Sequence, residues 1–172
     1  MGTGRFEAQF QQNPVPEDGD LIKRSWFRRW DSDPNMGWDA VVQSWDTATS
    51  NAANSAYSVC LTFGIRGQCY FLRDVYRERL DINQLKRAVI RQREEFEADH
   101  VLVELASSGI SIFQIFQQLS EDEGIPPVFG CKPRGSKLDR LMRVIDLIEG
   151  RRIYLPNADF VEHYHLVSGR SL

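Results

Sequence analysis

His100-Val101-Leu102-Val103-Glu104-Leu105 is the run on which the reading of this chain turns. It is almost wholly apolar, the pattern of a central strand covered by helices on both faces, where a half-solvated strand alternates. Glu104 interrupts it. A carboxylate in such a run is costly unless a cation, a donor network or solvent at the strand end meets it. The residue therefore reads either as part of a site or as one half of a salt bridge to a neighbouring arginine.

On its N-terminal side Asp81 is placed to cap a helix whose Ile82, Leu85, Val89 and Phe96 return to one face. Ahead of that, residues 57–63 alternate apolar and polar side chains, 64–67 offer a turn and residues 69–76 resume a strand, which predicts a hairpin. Residues 40–45 read as a buried strand that ends at Asp46, with a loop of small polar residues over 47–56. On the C-terminal side, Ser107 or Ser108 opens a helix with Ile112, Phe113, Ile115, Phe116 and Leu119 as its stripe, and a short strand is expected near Val128 and Phe129. Ser136 with Asp139 gives a capping box for a helix carrying Leu138, Leu141, Met142, Ile145 and Ile148 at helical spacing, and Gly150 stops it. A last strand at 153–155 precedes Pro156. The succession of strand, hairpin, helix, strand, helix, strand, helix and strand predicts an α/β layer fold with a mixed sheet.

The length of 172 residues suits one domain and a tail, and no apolar span reaches membrane length. The first residues lack the apolar core of a secretory signal, so a cytoplasmic protein is expected. Cys60, Cys69 and Cys131 are odd in number, lie in strand-like runs without metal-ligand spacing, and read as reduced core thiols. The net charge of -3 argues against a generally DNA-binding surface, yet residues 132–152 hold seven basic residues against three acids. On charge alone a solvated helix face is the simpler explanation of that run.

Asp46 and Glu104 are the candidate chemistry. If the strands that end in them are neighbours, two carboxylates meet at one point, where oxygen ligands suit magnesium or manganese. Two such ions about 3.5–4 Å apart would activate a water and stabilise the leaving oxygen of a phosphodiester. The competing readings are a turn cap for Asp46 and an arginine salt bridge for Glu104. His100, at the start of its strand, reads as a surface or cap residue.

Five stretches carry a family resemblance. Residues 6–26 (FEAQFQQNPVPEDGDLIKRSW) resemble the junction between motor and nuclease in phage terminase large subunits. Residues 42–57 (VQSWDTATSNAANSAY) are similar to that family's first acidic motif, and residues 101–112 (VLVELASSGISI) to its second. Residues 132–140 and 153–156 (IYLP) follow as later landmarks in the same order. The resemblance implies a three-layer RNase H-like fold with a central mixed sheet flanked by helices. It also implies a magnesium- or manganese-dependent endonuclease that cuts concatemeric viral double-stranded DNA, with Asp46 and Glu104 as metal ligands.

On the same basis Lys132, Arg134, Lys137 and Arg140 are expected at the DNA, and a terminase small subunit and a portal are expected partners in the host cytoplasm, away from membranes. Residues 1–38 then read as a linker from an ATPase motor, 39–165 as the nuclease domain and 166–172 as a divergent tail. Two departures qualify the match. No phosphate-binding Gly-x-x-x-x-Gly-Lys-Ser/Thr loop occurs in the chain, and the Asp-Asp pair that brings the family's third acid has no counterpart in residues 162–172. Asp159, Glu162, His163 and His165 are the substitutes at hand.

The alternative reading is a non-catalytic DNA-binding or protein-docking remnant. A sugar-kinase-like or actin-like ATPase is disfavoured, because the loop after Asp46 has no glycine for close approach to phosphate. Resolvases and transposases share the carboxylate logic.

Overall fold

A computed structural model describes residues 21–31, 37–48, 56–106, 108–123 and 127–157. Asp159, Glu162, His163 and His165, the tail at 166–172, most of the junction stretch and residues 49–55 lie outside the described residues. After a short 3-10 turn at Arg24–Trp26 come β1 (Arg28–Trp30), β2 (Ala40–Asp46), β3 (Ser58–Arg66), β4 (Cys69–Glu78), α1 (Ile82–Phe96) and β5 (His100–Glu104). They are followed by α2 (Ser108–Glu123), β6 (Phe129–Cys131), α3 (Lys137–Glu149) and β7 (Ile153–Pro156). The strands form one seven-stranded sheet in the order β1-β7-β4-β3-β2-β5-β6. β2, β3 and β4 form an antiparallel meander, whereas β5 and β6 extend it in parallel on one side and β7 and β1 on the other. The expected mixed sheet is present.

One face of the sheet is densely packed. Val41 and Trp45 of β2, Cys60 of β3 and Val101 and Val103 of β5 are buried against Leu85, Val89 and Phe96 of α1 and Ile112 and Phe116 of α2. Helix α1 starts as its sequence dictates: Asp81 accepts from the Gln84 backbone at 2.8 Å while the Gln84 side chain accepts from the Asp81 backbone at 2.9 Å. Helix α3 packs on the opposite face and buries only Ile148; Met142 stays 51% exposed. Its Ser136–Asp139 capping box is formed, and hydrogen bonding at Ser136 holds the Asp139 carboxyl below its usual range. Gly150 ends the helix, although the left-handed residue is Arg151.

Three details differ from the expectation. The hairpin turn is tighter, because Gly64 stays inside β3: a Cβ there would stand 2.5 Å from the Trp38 ring, so the missing side chain makes the seat for that indole. Gly67, at φ +59°, takes the turn instead. Arg28–Trp30 also joins the sheet as an edge strand, and Trp30 docks against Trp38 and Phe71 at 5.7 and 5.5 Å between ring centres. The thiols are corrected as well. Cys60 is buried and its thiol is pushed up to about 12 by that burial, but Cys69 is half-buried and Cys131 is exposed, because β6 is an edge strand. No described helix is long and apolar enough to cross a membrane.

The alignment of β2 with β5 is pinned from the chain just before β5. Asp99 accepts from the Val41 backbone N–H through its carboxylate at 2.7 Å, and its own N–H donates to the Val41 carbonyl at 2.9 Å. At the other end of β2, the Ser58 hydroxyl accepts from the Ala48 N–H at 3.1 Å and donates to the Ala48 carbonyl at 2.8 Å. Asp99→Ala removes a charged acceptor from a strand-end amide and is expected to lower stability by about 1.5 kcal/mol, read as a fall in the urea midpoint. An unchanged midpoint would mean that strand pairing alone sets the alignment.

Candidate functional site

Asp46 and Glu104 end adjacent parallel strands, and the register decides how they meet. Val42 pairs with His100, Gln43 with Val101, Ser44 with Leu102 and Trp45 with Val103. Continued by one residue, this series sets Asp46 beside Glu104. Gln43 and Trp45 with Val101 and Val103 fill the buried face, so the side chains between them, including those of Asp46 and Glu104, belong to the other face. Neighbouring strands lie about 4.8 Å apart. Two carboxylates thus share one face and one strand end, at the carboxyl edge where open α/β sheets bind ligands.

The next strand continues the row. Glu104 pairs with Cys131 of β6, and Lys132, Pro133 and Arg134 follow it. A cavity of about 270 Å³ opens here, floored by Ser44, Leu102 and Glu104 and walled by Lys132, Arg134, Arg140 and Arg143. Arg140 Nη1 lies 3.4 Å from Glu104 Oε1, with the two side chains 35% and 37% exposed. The arginine partner anticipated for Glu104 is therefore present, and such a half-exposed ion pair contributes only about 0–1 kcal/mol.

Lys132, Arg134 and Arg140 thus line one cavity with Glu104, and Arg140 reaches it. Lys137 is exposed in the first turn of α3 and does not line the cavity. Asp46 is exposed at the end of β2, on the cavity's face but outside its lining. His100 is exposed at the opposite end of β5 and makes an edge contact with Phe129 at 5.6 Å, as a surface residue would.

Two contributors were not singled out from sequence. Arg143 stands one turn beyond Arg140, and its helical spacing was the available signal. Gly109 is the other. A Cβ on it would lie 1.9 Å from the Glu104 carbonyl oxygen and 3.3 Å from Thr47 Oγ1, so only glycine lets the first turn of α2 close onto the ends of both acid-bearing strands. The glycine in the small-residue turn after Glu104 is therefore required by space.

The acids are of the type that suits a hard divalent cation, since magnesium is commonly held by one or two carboxylates completed by water and substrate phosphate. Among the described residues, no group of three or more His, Cys, Asp and Glu side chains is assembled for a metal.

Comparison with solved structures identifies the architecture. The large terminase of a thermophilic bacteriophage superposes with a TM-score of 0.60 at 15% identity over 85% of this chain and 35% of that one. The human cytomegalovirus terminase nuclease domain, in a manganese-soaked, inhibitor-bound form, gives a TM-score of 0.52 at 9% identity over 88% and 86% of the two chains. The fold is therefore the three-layer RNase H-like one, and the chain spans about a third of the phage protein. The family model described as the terminase RNase H-like domain matches residues 43–168, so the chain belongs to that family. No curated protein sequence matches it.

Gly109→Ala should displace the Glu104 backbone and cost stability by about 1–3 kcal/mol, the range for overpacking. A thermal melt of the variant should show the loss. A midpoint equal to the parent's would mean that the α2 turn has room the distances deny.

Proposed function

We propose that this chain is the endonuclease domain of a DNA-packaging terminase, in which Asp46 and Glu104 hold magnesium or manganese ions and cut concatemeric viral double-stranded DNA. The observation that carries the reading is the β2–β5 register, which brings two acids to one strand end beside a basic cavity. Support also comes from membership of the terminase RNase H-like family and from the likeness to a viral terminase nuclease domain soaked with manganese. Once bound, the metal would supply a nucleophilic hydroxide at neutral pH and neutralise charge on the phosphodiester.

The chain's own residues do the rest. Lys132, Arg134 and Arg140 bind and orient the phosphates, with Lys137 approaching from the exposed start of α3. Arg140 has a double part. It neutralises Glu104 when no cation is there, and because that bridge is weak it turns to a phosphate oxygen when one arrives. In the host cytoplasm, a terminase small subunit and a portal would complete the packaging assembly around this domain.

A second reading has two observations in its favour. Glu104 is already paired with Arg140, and the described residues bring together only two acids. On that view the domain holds DNA without cutting it.

A plasmid-nicking assay separates the two. We expect weak nicking in magnesium and stronger nicking in manganese, with Asp46→Asn and Glu104→Gln each lowering it by more than about 100-fold, beyond the 10–100-fold typical of losing an outer-shell partner. Salt-dependent DNA binding that persists in EDTA, without cleavage in either metal, would favour the non-catalytic domain. Equal nicking by Asp46→Asn and the parent would remove Asp46 from the chemistry.

A further inference from the structure

The strand end that carries the acids has another flank, on β3 and β4. Asp46 pairs with Val59, and Val59 pairs with Arg77, so these three residues share a face across β2, β3 and β4. Ser58 pairs with Glu78, and one further step sets Tyr57 opposite Arg79 on the face of Asp46. The side chains gather accordingly. The Arg77 guanidinium carbon lies 3.5 Å from the centre of the Tyr57 ring and that of Arg79 lies 4.5 Å from it. All three residues are exposed, Tyr57 at 38%.

Two guanidinium groups drawn to one ring repel each other, and the attraction of each to the ring is modest at an exposed position. A guanidinium stacked on an aromatic face also keeps its planar fork of N–H donors, the arrangement that suits phosphate oxygens. Along the sheet edge the sequence of charge is then basic on β4, acidic on β2 and β5, and basic beyond β6. From β4 to β6 there are four strand spacings, about 19 Å, which matches the rise of about five to six base pairs of duplex DNA.

We propose that Tyr57, Arg77 and Arg79 form a second phosphate-contact group for duplex DNA, on the opposite side of the acid pair from Lys132 and Arg134. The assignment rests on the nuclease reading, and it makes the two acids the middle of a track rather than the end of one. Arg77 and Arg79 take backbone phosphates, and the Tyr57 ring fixes the direction of both guanidinium groups.

The test uses the full chain and a short fluorescent duplex of fixed sequence, with binding followed by anisotropy in EDTA across a salt titration. Replacing both arginines (Arg77→Gln with Arg79→Gln) is expected to weaken binding and to flatten the slope of log K against log salt by about 1.8, two phosphates at about 0.9 each. Arg77→Lys with Arg79→Lys should keep most of the slope, because the charges remain. In the parent chain, duplex DNA should protect Arg77 and Arg79 from phenylglyoxal labelling. An unchanged slope in the Gln pair, or equal labelling with and without DNA, overturns the inference. If Lys132→Gln with Arg134→Gln still weakens binding and Asp46→Asn still abolishes nicking, the nuclease reading stands without it. A parent chain that binds no duplex at low salt overturns both.

Discussion

The alignment of β2 with β5 is the constraint on which the site depends. Side chains alternate along a strand, so slipping one strand by a single residue would send one carboxylate into the face packed by Trp45 and Phe116. That slip is blocked twice: by the cost of burying a charge there, and by the two Asp99 bonds to Val41. The register that survives brings like charges together. Carboxylates ending neighbouring strands repel one another, and the half-exposed Arg140 bridge to Glu104 is a weak counterweight.

The two faces of the sheet divide the work. The face against α1 and α2 is sealed by large side chains, among them Trp45, Leu85, Val89 and Phe116, each at most 2% exposed. Such a face keeps the strands from moving relative to each other. The other face buries little of α3, whose Leu138, Leu141 and Ile145 are half-buried and whose Met142 and Val144 are exposed. Stability therefore resides on one side and the charged groups on the other. A rigid strand can hold Asp46 and Glu104 in place while the arginines of α3 and the chain after β6 adjust to a ligand.

Much of the fold was legible because it is local. Period-two alternation marked β3, Asp81 and the Ser136–Asp139 pair marked helix starts, and Glu104 stood out as a charge inside an apolar run. Partnership between distant strands is not local. Alternation tells which residues share a face, but not which strand lies alongside, so the meeting of residues 46 and 104 was a condition rather than a deduction. The same limit hid the role of Arg28–Trp30 as a strand, since three residues carry too little pattern. Gly64 and Gly109 look alike in sequence to any other glycine; only the Trp38 ring and the Glu104 carbonyl explain why each must lack a side chain. Cys131 misled for a related reason, because its apolar surroundings in sequence do not reveal that β6 is an edge.

Charge order along the sheet edge gives the net charge of -3 its proper weight. A phosphate backbone responds to the potential within about a Debye length, roughly 8–10 Å at physiological salt, and not to the total over the chain. Beside the acids stand Arg140 on Glu104 and, on the same cavity wall, Lys132, Arg134 and Arg143. The acids would by themselves repel a phosphodiester. Their neighbours reverse the local sign, and on the proposed reading a divalent ion between the carboxylates reverses it further. The basic wall and the acid pair are then parts of one arrangement: the wall draws the backbone to a spot that its two central side chains, left alone, would keep it from.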